Sequence, residues 1–257
     1  MLYSIIIINY QTPQLTSTCL RSLLALPSKN DWEIILIDNA SGDNSLKIMN
    51  QEFSQEIKEE KIKIIASPIN LGFGGANNLG AKEARGEFLL FLNSDTVVKE
   101  DIFTSALNIF RQEDGVGLVS PLLITKKGLE QKDAYGTWPS LKNLILRRSG
   151  SKIDWLSGCA LFIKKSLFKE LRGFDKNFFL YFEDIDLCRR AFKLGYSTKL
   201  DRTSRVVHLG GQSLKNNRQR KRNYYKSQNY YFKKHYGLRS QVFMRILRFP
   251  LKLWRMR

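Results

Sequence analysis

The sequence predicts an α/β fold in which a mostly parallel sheet is covered by helices on both faces. Three observations carry that reading. Short, continuous apolar runs alternate with stretches of helical spacing, and a run without polar alternation is a strand buried on both sides. Polar residues close three of the first four strands, at Asp38-Asn39, Ser67 to Asn70 and Asn93-Ser94-Asp95, where open α/β sheets take their ligands. A chain of 257 residues with 43% hydrophobic content is long enough to bury one sizeable core.

The elements follow in order. Ser4–Ile8 is a β-branched run that opens the chain as a buried strand. Thr12-Pro13 starts a helix that puts Leu15, Cys19, Leu23 and Leu26 on one side. Glu33–Ile37 is the second strand. Gly42-Asp43-Asn44-Ser45 opens a helix running towards Glu60, and Ile62–Ile65 is the third strand. Asn70 to Gly75 reads as a flexible glycine-rich loop ahead of a helix over Asn77–Arg85. Phe88–Leu92 is the most apolar strand, followed by a helix over Asp101–Arg111. Beyond it, Gly117–Ile124 is a strand, and residues 125–150 read as loosely ordered. Trp155–Lys164 is one strand with Gly158 at a bend. Asp184–Leu194 is an amphipathic helix stopped by Gly195, and Tyr196–Leu200 and Arg205–Val207 are strands leading to His208.

Charge is unevenly shared. The formal net charge is +18, yet the first 201 residues hold 26 basic and 24 acidic residues. Past Asp201 there are 16 lysines and arginines and no acid. A near-neutral body thus carries a basic tail suited to an anionic partner, either lipid headgroups or nucleic acid. The three cysteines, Cys19, Cys159 and Cys188, lack CxxC spacing, which argues against a disulfide framework or zinc ribbon and fits a reducing compartment. The N-terminus has no basic leader, and no apolar run is long enough to cross a bilayer.

Several polar residues stand where chemistry is done. Asp38 can accept a hydrogen bond from a nucleobase or ribose, or cap the turn after its strand. The glycines of Asn70–Asn78 let a backbone approach a phosphate or ribose at a helix start, although Gly72-x-Gly74-Gly75 is not a dinucleotide fingerprint. Asp95 emerges from the most apolar strand and needs a partner, for which a divalent cation bridging phosphates is suited. Glu183, Asp184 and Asp186 fill the first turn of a helix behind an aromatic cluster. Acids there stabilise the helix dipole, and Asp186 can pair with Arg189 or Arg190. Glu183 and Asp184 point in different directions, so both cannot serve that pairing. A carboxylate at a helix start stays ionised at neutral pH, as a general base must. His208 is either a structural histidine or a second metal ligand beside Asp95. His235, in the basic tail, receives no role.

In order along the chain, IIIINYQ, ILIDNASGDNS, NLGFGGANNLG, FLLFLNSD, WLSGCALFIKK, FFLYFEDIDLCRRAFKLGY and HLGGQS resemble the motifs of glycosyltransferase family 2. Within that family the chain looks like the bacterial rhamnosyltransferase-type enzymes of surface-polysaccharide assembly, the O-antigen among them. The resemblance covers residues 3–213 and implies a Rossmann-like GT-A fold, with a nucleotide-sugar half over 1–112 and an acceptor and catalytic half over 113–213. It implies that Asn9, Asp38, Asn39, Asn70, Gly72, Asn77, Asn93 and Asp95 face the donor. Trp155, Gly158 and Glu183 would face the acceptor, Asp184 would be the catalytic base, and Asp95 and His208 would hold Mg²⁺ or Mn²⁺. One departure stands out: the usual Asp-x-Asp is Asn93-Ser94-Asp95 here. The implied reaction is inverting transfer from a nucleotide-sugar to a hydroxyl of a lipid-linked or polysaccharide acceptor. The subgroup suggests dTDP-rhamnose as donor, with UDP-hexoses and UDP-galactofuranose as alternatives.

Residues 214–257 form the tail. Over Gln241–Arg257, Arg245, Arg248, Lys252 and Arg255 share one helical face, and apolar side chains with Pro250 fill much of the rest. This predicts a helix lying on an anionic membrane surface, placing the protein peripherally on the cytoplasmic face. Tyr224, Tyr225, Tyr230 and Tyr231 interleave with lysines and could stack on bases, but a nucleic-acid reading leaves Glu183-Asp184, Asp95 and His208 unexplained. A tail packed on the domain is the third option.

Overall fold

A computed structural model describes residues 1–27, 31–141, 143, 152–210 and 217–254, with side chains described as far as Ile246. Its centre is an eight-stranded sheet of order β3-β2-β1-β4-β9-β6-β10-β5. The strands are β1 (Tyr3–Asn9), β2 (Trp32–Asp38), β3 (Ile62–Ala66), β4 (Phe88–Asn93), β5 (Thr96–Val98), β6 (Val116–Ile124), β9 (Ala160–Lys164) and β10 (Ser197–His208). The strands β1 to β4 are mutually parallel, β10 is parallel to β6, and β9 and β5 run against their neighbours. A separate ribbon pairs β7 (Tyr135–Gly136) with β8 (Trp155–Leu156).

The alternation of β1 distributes the core. Ile5 and Ile7 face one cluster, into which α1 (Pro13–Leu24), α2 (Ser45–Glu52) and α5 (Phe103–Gln112) send Cys19, Leu20, Leu23, Met49 and Phe103. Ile6 faces the opposite cluster, built with α4 (Gly72–Glu83), α6 (Lys165–Glu170) and α7 (Glu183–Lys193). The sheet is therefore covered on both faces, as the continuous apolar runs require.

Several element boundaries differ from expectation. The second helix is interrupted at Phe53, giving α2 and α3 (Ser54–Lys58). The glycine-rich stretch is not a loop, because α4 begins at Gly72. A Cβ on Gly72 would lie 2.2 Å from the Phe179 carbonyl oxygen, and Gly72 has φ +70°. The glycine is thus required where another segment crosses the helix start. The expected Trp155–Lys164 strand is two strands with different partners, β8 on β7 and β9 between β4 and β6. The two expected strands near the end are one, β10, whose register on β6 shifts between Asp201 and Arg205. Residues 125–139 are ordered rather than loose, held by Gln131 N–H to Leu123 O, Ser157 N–H to Ala134 O and the β7–β8 ribbon. Residues 144–150 lie outside those described.

A final helix, α8 (Asn217–Trp254), bends at Gly237, where φ is 84° and ψ 172°. Its first arm packs on the domain. Tyr231 and Phe232 are fully buried in a third cluster with Phe178, Phe182 and Ile185, and the Ser227 hydroxyl donates to Leu180 O at 2.7 Å. The interleaved tyrosines therefore serve partly as core.

Candidate active site

The parallel register brings three strand ends side by side. Asn9 pairs with Asp38, and Ile8 with Asn93. Two polar clusters grow from this edge, and the residues expected to face the donor divide between them.

The first cluster is a buried hydrogen-bonded floor. Asp38 Oδ1 accepts from Asn9 Nδ2 at 2.8 Å and from the Ser41 hydroxyl at 2.5 Å, and Oδ2 accepts from Ser41 N–H at 3.2 Å. Asn39 uses its side chain to staple the segment after β3: Oδ1 accepts from Leu71 N–H at 2.9 Å and Nδ2 donates to Asn70 Oδ1 at 3.1 Å. Asn70 Oδ1 also accepts from Gly72 N–H at 2.9 Å. Asn77 is buried one turn into α4, and its amide nitrogen has no partner among the described residues. Within the fold, Asp38 and Asn39 act first as fasteners for their own loops. The Thr12 and Ser94 hydroxyls, 3.4 Å apart, join this floor to the Asn93-Ser94-Asp95 turn.

The second cluster surrounds a cleft of about 960 Å³, lined by Asn93, Trp155, Gly158, Glu183, Asp184 and His208 together with the first turns of α8. The pairing of β10 with β5 sets its inner end. His208 sits opposite Thr96, so the residue before Thr96, Asp95, meets the imidazole. His208 Nε2 is 3.4 Å from Asp95 Oδ1, and its Nδ1 donates to Gln131 Oε1 at 2.8 Å. Gln131 Nε2 donates in turn to His208 O at 2.8 Å, gripping the histidine at both ends. Burial alone would lower the His208 pKa, but the Asp95 carboxylate and the Cys159 sulfur outweigh it and lift the imidazole to about 10. The pair thus favours the protonated imidazole where a cation could sit. The donor set fits a hard divalent ion: a carboxylate oxygen and an imidazole nitrogen at this separation match two adjacent ligands, which lie about 3 Å apart around such ions. No cluster of three or more metal-ligating side chains occurs among the described residues, so phosphate and water would have to complete the shell.

Glu183 and Asp184 enter from the start of α7. The two preceding residues, Tyr181 and Phe182, both adopt left-handed backbone, with φ 71° and 70°. For aromatic side chains this is strained geometry, and strain of this kind gathers at functional sites. It delivers Asp184 to the cleft, where Oδ2 accepts from Gly158 N–H at 3.0 Å and Oδ1 from Ile185 N–H at 2.8 Å. Burial raises the Asp184 pKa despite those two hydrogen bonds. Glu183 is pushed well above the usual range, by burial first and by the Asp184 charge second, and its Oε2 has no partner among the described residues. Both carboxyls are pushed upward, Glu183 further than Asp184, so burial and the shared charge favour the neutral form of Glu183 more strongly.

Asp186, fully buried, does not face the cleft. It binds Arg190 Nε at 2.8 Å, Lys234 Nζ at 2.6 Å and His235 Nε2 at 2.8 Å. Lys234 also reaches Asp175 at 2.7 Å. The pairing of Asp186 with Arg190 was legible in the i, i+4 spacing. His235, which carried no sequence signal, turns out to tie α8 to the turn that presents Asp184.

The sequence model of the family described as "Glycosyl transferase family 2" matches residues 4–172. The chain belongs to glycosyl transferase family 2. Among curated family members, it is 27% identical over 201 residues to the low-salt glycan biosynthesis hexosyltransferase Agl10 of Haloferax volcanii, covering 73% of this chain and 61% of Agl10. It is 23% identical over 217 residues to the N-acetylglucosaminyl-diphospho-decaprenol L-rhamnosyltransferase of Mycobacterium tuberculosis, covering 72% and 69%. The chain thus spans less than two thirds of Agl10. The mannosyltransferase PcManGT of Pyrobaculum calidifontis, solved with GDP-Man and Mn²⁺, superposes with a TM-score of 0.66 at 17% identity, over 90% of this chain and 63% of that one. The fold of this family 2 chain is accordingly the expected GT-A fold.

Proposed function

We propose that this protein is an inverting, metal-assisted glycosyltransferase that moves a sugar from a nucleotide-sugar to a hydroxyl of a lipid-linked or polysaccharide acceptor. The observation that carries the reading is the position of Asp184 in one cleft with His208, which is paired to Asp95. A base for the incoming alcohol and a cradle for a charged leaving group share one space.

Asp184 takes the proton of the acceptor hydroxyl as its oxygen attacks the anomeric carbon, and the raised pKa makes it a stronger base than a solvated aspartate. The Gly158 and Ile185 amides fix the carboxylate's orientation. Asp95 and His208 would hold Mg²⁺ or Mn²⁺, which when bound neutralises charge on the departing diphosphate. Asn9, Asp38, Asn39, Asn70, Gly72 and Asn77 form the platform against which the nucleotide lies. Trp155, Gly158 and Glu183 line the acceptor side.

For the donor, dTDP-rhamnose is the first candidate, supported by the L-rhamnosyltransferase relative. A hexose donor is favoured by the hexosyltransferase Agl10 and by PcManGT, solved with GDP-Man. Thermal stabilisation by a panel of nucleotide-sugars with Mn²⁺ separates these, because a ligand that binds only the folded state raises the midpoint. A single donor should stand out and be turned over. If no nucleotide-sugar shifts the midpoint, the reading fails. We also propose that the basic second arm of α8 rests on the anionic inner face of the cell membrane, where a lipid-linked acceptor would be found.

A further inference from the structure

The face that α8 turns to the cleft is specific. Asn217, Lys221, Tyr224 and Gln228 recur at steps of four, three and four, with Arg220 and Tyr225 beside them, and all line the cleft that contains Asp184. Tyr224 anchors this stripe next to the catalytic turn, its ring 5.3 Å from that of Phe182 and 5.9 Å from that of Tyr181. One turn earlier, Arg220 and Lys221 form no ion pair among the described residues, although Glu183 and Asp184 line the same cleft. Unspent cations at the rim of a cleft walled by Trp138 and Trp155 are suited to an anion attached to a ring that stacks.

The anion has two possible sources, the diphosphate of the donor and a phosphate on the acceptor. The cleft holds both ends of the reaction, since His208 of the leaving-group cradle lines it together with Asp184, Trp155 and Gly158 of the acceptor side. Tyr224, one turn beyond Arg220 and Lys221, packs on Tyr181 and Phe182, the residues that lead into Asp184, which ties this stretch of α8 to the acceptor side. Resting on the glycosyltransferase reading above, we propose that Arg220 and Lys221 form a phosphate-binding subsite for the acceptor, which is a sugar or polyol bearing a phosphate ester near the attacking hydroxyl. The rings of Trp138 and Trp155 hold the sugar, the two cations hold the phosphate, and Asp184 faces the hydroxyl.

The test uses the full-length protein saturated with UDP and Mn²⁺, and titrates glucose 1-phosphate and methyl glucoside by tryptophan fluorescence. Glucose 1-phosphate should bind more tightly than methyl glucoside. The double variant R220A/K221A should weaken glucose 1-phosphate by about ten-fold or more, leaving methyl glucoside and UDP-Mn²⁺ within two-fold. The charge-conserving R220K/K221R should recover most of the loss, which separates charge from any disturbance of α8. The subsite is overturned if the phosphate adds no affinity in the wild type. It is equally overturned if the double variant weakens UDP-Mn²⁺ as much as glucose 1-phosphate, because the cations would then serve the donor. Failure of the wild type to bind UDP or dTDP with Mn²⁺ would instead defeat the glycosyltransferase reading itself.

Discussion

In the proposed mechanism the chemistry turns on Asp184, and its neighbour Glu183 supplies the control. General-base catalysis is worth about 10²–10⁴-fold, so Asp184→Asn should cut kcat by that factor with nucleotide affinity nearly unchanged. Burial first, and the Asp184 charge second, favour the neutral form of Glu183. Glu183→Gln, an isostere of that neutral acid, should therefore keep kcat within several-fold of wild type. Equal losses in the two variants would remove the division of roles. The pH profile gives an independent check. A base works deprotonated, and the Asp184 pKa lies above the 3.8 of a solvated aspartate. Activity should thus fall on acidification while an ordinary aspartate would still be ionised, and Asp184→Asn should abolish that limb in the residual rate. A second prediction concerns backbone. At Gly72 a methyl group would meet the Phe179 carbonyl at 2.2 Å in a left-handed conformation. Gly72→Ala should cost about 1–3 kcal/mol in urea unfolding, because it presses on the segment leading into Tyr181 and Phe182.

Among the elements, α8 is the one whose attachment is electrostatic as well as apolar. Asp186, Arg190, Lys234 and His235 form a buried knot between α7 and α8, with Arg189, Tyr231 and Asp175 around it. Removing the shared carboxylate with Asp186→Asn strands buried cations and should cost about 3 kcal/mol. The loss should appear as faster hydrogen exchange over residues 217–236. The sign of the pH dependence follows from two shifts. Burial lowers the His235 pKa below 6.5, more than Asp186 raises it. Burial pushes the Asp186 carboxyl up, but His235, Arg190 and Lys234 outweigh it and set the pKa below 3.8. In both cases the unfolded chain binds more protons, so stability is full above the unfolded pKa and is lost as pH falls towards the folded one. The histidine part should begin to disappear below about pH 6.5, and a urea midpoint measured against pH should lose that step in His235→Gln. The strands β1, β2, β3, β4 and β6 were legible in the sequence because each is a largely continuous apolar run, and Asp95, Asp184 and His208 because they stand at strand ends and a helix start. What was not legible came from contacts distant along the chain. Gly72 at the start of α4 answers to the Phe179 carbonyl, the closure of Asp95 on His208 comes from the β5–β10 register, and the raised Asp184 pKa reflects burial under elements that arrive from elsewhere. Tyr231 was read as one of the tyrosines able to stack on bases, and packing made it core.

At the scale of the whole molecule, charge and apolar exposure separate along α8. The first arm is docked. Past the bend at Gly237, Leu238, Val242 and Ile246 follow one another at steps of four and stay exposed, Leu238 and Ile246 at 62% each. Arg239 and Arg245 are exposed beside them, while Met244 turns inward. An apolar stripe flanked by arginines is what an interfacial helix presents to anionic lipid. The part of the expected basic face at Arg248, Lys252 and Arg255 lies outside the described side chains. No helix among the described residues is long and apolar enough to cross a bilayer. Coulomb attraction and apolar insertion can be told apart by salt. Raising ionic strength from about 0.15 M to about 1 M shortens the screening length from about 8 Å to about 3 Å. The full chain should float with vesicles containing roughly one-third phosphatidylglycerol at the lower salt and dissociate largely at the higher. A chain lacking residues 241–257 should stay in the dense fraction at both, while still binding nucleotide with Mn²⁺. Flotation of the shortened chain equal to that of the full one would place the lipid contact elsewhere. Salt-resistant flotation of the full chain alone would assign it to the apolar stripe rather than to the arginines.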